Sequence, residues 1–168
     1  MLNRKITAAL VATAIGLVAA PAAGADQPYR EPIELTGGIL PGCAFDVQIT
    51  PDGTESLTIF DSGRVTVHAH NAPTLTNVDT GESEVYRLRY LFQETYDADA
   101  NQLIGRLSGR FVFVILPGDV GPSGEVDEDG ALVNIVGRVR YTMDPDTFAL
   151  TSFTVRGTMT DVCAELAS

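Results

Sequence analysis

Leu107-Ser-Gly-Arg-Phe-Val-Phe-Val-Ile-Leu116 is the most apolar run of the chain outside its N-terminus, and Pro117-Gly118 ends it. β-Branched and aromatic residues fill its second half. That composition describes a strand buried on at least one full face. Alternation puts Leu107, Phe111, Phe113 and Ile115 on one side. Gly109 falls on that side too and marks a bend or bulge. Val112, Val114 and Leu116 form the opposite side, which needs either a covering layer or a docking partner.

The flanking runs follow the same period. Glu84–Thr95 places Tyr86, Leu88, Tyr90 and Phe92 together, with Arg87, Arg89 and Gln93 opposite. Ala131–Met143 gathers Val133, Ile135, Val139 and Tyr141 against Arg138 and Arg140. Phe148–Thr160 carries Phe153, Val155 and Met159 on one face. Upstream lie shorter runs at Phe45–Thr50, Ser56–Phe60, Arg64–His70 and Thr74–Val78, divided by Asp-Gly-type turns such as Pro51-Asp52-Gly53 and Asp79-Thr80-Gly81. A helical turn is expected around Cys163. No segment after the N-terminus holds a 3.6-residue period over ten residues. The pattern predicts an all-β domain, a single antiparallel β-barrel of about eight strands, with a two-sheet β-sandwich as the alternative.

Residues 1–25 read as a signal peptide. Asn3-Arg4-Lys5 is its basic end, Ile6–Ala20 its uncharged apolar core and Ala23-Gly24-Ala25 its cleavage site. Its apolar core, about 15 residues, is short for a membrane span, and no later run is longer, so no membrane span is expected after its removal. The remaining chain divides into an extended lead-in over 26–41, with one edge strand at Ile33–Leu35, and the barrel domain over 42–168. It keeps 9 basic residues against all 22 acidic ones, a net charge of −13. That balance speaks against nucleic acid and anionic membrane surfaces as partners. Every remaining basic residue is Arg, which excludes lysine Schiff-base chemistry. Cys43 and Cys163, the only cysteines, predict one disulfide and an oxidising compartment, extracellular or at the cell wall.

Candidate sites are few. Tyr86, Tyr90, Tyr141, Phe111 and Phe113 share the inward parity and would line a ligand cavity if the barrel interior is open. His68 and His70, the only histidines, stand at i and i+2 on one strand about 7 Å apart, near enough to share a zinc ion if another strand supplies a third ligand. Otherwise they are two exposed polar positions. The His-x-His spacing resembles the core of the cupin metal motif, but Thr74 and Leu75 stand where that motif has a glutamate. Asp97, Asp99 and Asn101 match the first three ligand positions of a calcium loop. Gln102 and Ser108 occupy the positions of its glycine and its last glutamate, so a calcium site outside any EF-hand and a solvated turn remain the two readings. Asp61-Ser62-Gly63 and Asp79-Thr80-Gly81 imitate aspartic-protease signatures but sit where turns are needed, 18 residues apart. The loop Pro117–Gly130, rich in Gly and acids, is a mobile lid or a calcium-collecting segment, or else a solvated hairpin. If the strands pair in order, Arg87, Arg89, Arg110, Arg138 and Arg140 share a face with the histidines, suited to an anion or to cross-strand carboxylates.

Phe113-Val-Ile-Leu-Pro-Gly-Asp-Val-Gly121, Gly137-Arg-Val-Arg-Tyr-Thr-Met-Asp144 and Gly157-Thr-Met-Thr-Asp-Val-Cys-Ala-Glu-Leu166 resemble small secreted all-β proteins of high-GC Gram-positive bacteria. The resemblance implies a compartment and a host type, and no catalytic or binding residue. The expected function is that of an exported, non-enzymatic binding or interaction module for a small molecule or a cell-wall or extracellular protein. Two alternatives stand beside it: a small secreted barrel enzyme (cyclase, isomerase or hydrolase) with a tyrosine-lined cavity, and a calcium-stabilised structural module.

Overall fold

The chain forms eleven strands and one short helix in a computed structural model that describes residues 28–167. The proposed signal peptide and its cleavage junction before Asp26 lie outside the described residues. A seven-stranded antiparallel sheet runs β1-β4-β5-β8-β9-β10-β11 and a four-stranded one runs β2-β3-β6-β7. Their ranges are β1 Tyr29–Ile33, β2 Gly38–Leu40, β3 Val47–Thr50, β4 Gly53–Ile59, β5 Val65–Asn71, β6 Thr74–Asn77, β7 Ser83–Val85, β8 Leu88–Asp97, β9 Gln102–Ile115, β10 Ala131–Met143 and β11 Leu150–Asp161. α1 spans Val162–Leu166. In the lead-in, the edge strand is Tyr29–Ile33, upstream of Ile33–Leu35, and Leu40 is fully buried.

The two strand orders are one meander seen twice. β1 and β2, β4 and β3, β5 and β6, and β8 and β7 are halves of four long segments, each bent once and passing from one sheet to the other. Proline explains two of the bends. Pro51 and Pro73 carry no N–H, so the ladder must break beside them. Main-chain bonds then cross the corners, from Ala72 N–H to Asp52 O at 2.6 Å and from Tyr86 N–H to Pro73 O at 3.0 Å.

β9, β10 and β11 stay in the large sheet but fold in half. Gly109, Gly137 and Gly157 face one another across the three strands, all with positive φ. Ring contacts report the crease. Phe113 pairs in register with Val133, eight residues before Tyr141 and about 27 Å from it along a straight strand. Yet its ring centroid lies 6.0 Å from that of Tyr141 and 4.9 Å from that of Phe153. The loop after β9 closes over the far end of the fold. Buried Asp119 accepts the Leu150 N–H at 2.9 Å and the Leu116 N–H at 2.9 Å.

The single closed barrel does not form. Neither sheet closes, because β1 and β11 edge the large sheet and do not pair with each other. The last strand runs instead into α1, which Asp161 caps by accepting the Ala164 N–H. The Cys43–Cys163 disulfide ties α1 to the connection between β2 and β3, with the Cα atoms 5.5 Å apart. Val162 and Leu166 are fully buried, and Asn77 Nδ2 donates to the Leu166 carbonyl at 3.2 Å. This second layer covers the outer side of the opening strand. Val112 is buried, Val114 packs against the core, and Leu116 stays 37% exposed. Side chains of both sheets and α1 join one apolar core.

Candidate functional site

The inward tyrosines are each fixed by a glutamate. Tyr90 OH donates to Glu55 Oε1 at 2.8 Å, Tyr141 OH to Glu94 Oε2 at 2.8 Å, and Tyr86 OH to Glu165 Oε2 at 2.5 Å. Gly105 makes the second pairing possible. A Cβ there would fall 1.9 Å from the Tyr141 ring, which crosses β9 at that point to reach Glu94. All three phenols are pushed well above their ordinary value, first by burial and then by the carboxylate beside each. Tyr90 also meets Phe111 edge-on at 6.0 Å. Tyr90 thus packs on Phe111, and Tyr141 on Phe113, inside the fold. Of the five cavity candidates, Tyr86 alone borders the pocket of about 430 Å³ that opens beside α1.

Glu55 faces inward from β4 and is only 4% exposed. It stands in register with Ala69, which faces Tyr90, and also accepts from Asn71 Nδ2 at 2.6 Å. Among the described residues its Oε2 and the Asn71 Oδ1 have no hydrogen-bond partner. Burial raises the Glu55 pKa, opposed by the two hydrogen bonds, and burial raises that of Glu94 likewise. In the folded state Glu55 therefore holds its proton to higher pH than in the unfolded chain. Its contribution to stability is full below the unfolded value of about 4.3 and is lost as pH rises through the folded value. Glu55→Gln is expected to gain in Tm over the parent protein more at pH 8 than at pH 4. Thermal melts at the two pH values check this, and an equal difference at both would show that Glu55 titrates alike in the folded and unfolded chain.

His68 and His70 are exposed on β5, beside Leu91 and Arg89 of β8. Among the described residues no group of three His, Cys, Asp or Glu side chains is placed to hold a metal ion. Asp97, Asp99 and Asn101 close the β8–β9 turn: Asp97 Oδ1 accepts the Asp99 and Ala100 N–H groups at 3.1 Å, and Asn101 Oδ1 accepts from Tyr96 OH at 2.7 Å. In the loop after β9, Asp127 Oδ1 accepts from Asp129 and Gly130.

The outer face of the large sheet is cationic. Three arginine pairs stand directly opposite one another: Arg89–Arg110, Arg106–Arg140 and Arg138–Arg156. All six are exposed, and Arg30, His68 and His70 extend the same face. Directly opposed positions put Cβ atoms about 5 Å apart, where like charges are destabilising. Among the large sheet's strands, Asp97 at the end of β8 is the one acidic residue of that parity. The acids crowd instead into turns, loops and the inward face.

No family model, no curated protein and no solved structure matches the chain. Among the described residues no helix is long and apolar enough to cross a membrane.

Proposed function

We propose that the protein is an exported, non-enzymatic binding module, and that it holds an anionic partner of its extracellular or cell-wall surroundings on the arginine face. The three opposed arginine pairs carry this reading. Each costs stability in the free protein, and each presents two guanidinium forks close enough to grip one oxyanion group or two successive ones. Closure of the Cys43–Cys163 disulfide supports an oxidising compartment. The packing of Tyr90 and Tyr141 against Phe111 and Phe113 favours recognition at the surface over chemistry in an interior cavity.

Short-chain inorganic polyphosphate is the probe. The full chain is expected to bind it, with affinity falling at least about tenfold between roughly 50 and 200 mM salt as counterions compete. Arg106→Gln/Arg140→Gln is expected to weaken that binding about tenfold or more while raising folding stability by up to about 1 kcal/mol, because it removes a like-charge pair. Calorimetric titration and thermal melts read the two effects. No binding at low salt, or a variant that binds as well as the parent, removes the reading.

A further inference from the structure

The pocket beside α1 is the place where the meander unzips. β8 and β9 pair from Asp97–Gln102 down to Arg89–Arg110. Beyond that point β7 leaves with the small sheet, β9 continues with β10, and the gap between them is the pocket of about 430 Å³. β7 pairs with β6 alone, Thr76 with Ser83 and Thr74 with Val85. Asn77 N–H bonds to Glu82 O at 2.8 Å and Tyr86 N–H to Pro73 O at 3.0 Å, so residues 82, 84 and 86 turn their main-chain groups toward β6. In an antiparallel ladder the alternate residues turn theirs away. The N–H and C=O groups of Ser83 and Val85 therefore face the gap, and among the described residues no strand pairs with them.

The walls add recognition. Arg87 and Arg110 line the pocket, and so does Asn134, whose buried Oδ1 has no hydrogen-bond partner among the described residues. Glu82 and Glu84 lie on the β7 side, and Glu165 is bonded to Tyr86. We infer that this gap takes an extended peptide of a partner protein as an added strand on β7, with a carboxylate of the peptide held by Arg87 and Arg110. Main-chain bonds to Ser83 and Val85 would supply affinity, and a peptide N–H would satisfy Asn134 Oδ1. This site is separate from the anion-binding reading of the outer face except at Arg110, which stands at their border.

The test uses the full chain with uniform nitrogen labelling and the peptide acetyl-Val-Thr-Val-Asp bearing a free C-terminal carboxylate. The expected result is a shift of the Ser83 and Val85 amide resonances and at least a tenfold slowing of their hydrogen exchange. The same peptide N-methylated at its second and third residues is expected to do neither. Val85→Pro, which removes an outward N–H from an edge strand and spares the ladder to β6, is expected to lose the peptide and keep polyphosphate binding. Unmoved Ser83 and Val85 amides at millimolar peptide overturn the inference, as does equal binding of the N-methylated form. Shifts confined to Arg106, Arg138 and Arg140 overturn it too, since they place the carboxylate on the outer face instead.

Discussion

Gly137→Ala is expected to destabilise the domain by about 2–5 kcal/mol. Two costs combine. Gly137 holds φ +153°, and a side chain in a positive-φ conformation costs about 1–2 kcal/mol. A Cβ there would also lie 2.2 Å from the Arg156 carbonyl oxygen and 2.8 Å from the Gly157 Cα, and forced overlap in a packed region costs about 1–3 kcal/mol. Relief would require opening the crease, which separates Phe113 from Tyr141 and Phe153. Gly109→Ala is expected to behave alike, since its Cβ would meet the Arg89 carbonyl oxygen at 2.1 Å. Gly118→Ala is the control. Its φ is also positive, but nothing lies within 4 Å of the added carbon, so it carries only the conformational cost. Urea unfolding separates the cases. A Gly137→Ala midpoint no lower than that of Gly118→Ala would mean that the crease is not a tight contact.

Period-2 alternation makes most of the strands legible in the sequence alone. It puts Tyr86, Leu88, Tyr90 and Phe92 on one face of β7–β8, and all four are buried. It also marks Gly109, a residue without a side chain on a core-facing position, as a bend. Alternation says nothing about whether a turn signal reverses the chain or only bends it. Pro51-Asp52-Gly53 has hairpin chemistry, yet it joins strands of different sheets, because Pro51 breaks the ladder and the chain bends there without reversing. Closure into a barrel depends on pairing between the first and last strands, the contact most remote in sequence and least visible in local pattern.

The candidate sites are less legible, for a related reason. Glu55 shares parity with Leu57 and Ile59, and Glu94 with Tyr90 and Phe92. An acid on a core-facing position is the signal that finds both, but only once the strand faces are drawn. Asp119 carries no such signal, since it sits among glycines in a loop whose fold-back to Leu150 exists only after the crease forms. The arginine face is visible as a parity but obscured by bulk charge. A net charge of −11 over the whole chain averages acids in the turns with cations on one sheet face, whereas a ligand meets the local field.

Removing the disulfide is expected to cost about 2–5 kcal/mol, as much as breaking the crease. Cys43 and Cys163 are 120 residues apart, so their bond closes nearly all of the described chain into one loop. Chain entropy assigns a loop of that length about 4.9 kcal/mol, an upper bound where the unfolded chain keeps structure. The loss is also local. Without the bond, α1 is held by Val162, Leu166, the Asn77–Leu166 bond and the Tyr86–Glu165 bond, and five residues are too few to stay helical alone. Cys43→Ala/Cys163→Ala is therefore expected to lower Tm by about 10 °C. It should also speed amide exchange first in α1 and in the β2–β3 connection, while β9 and β10 remain protected near the global limit. Uniform acceleration across β9, β10 and α1 would show that the bond acts on the unfolded chain alone. Acceleration that begins at α1 would show that this layer detaches as a unit, which opens one wall of the pocket beside β7.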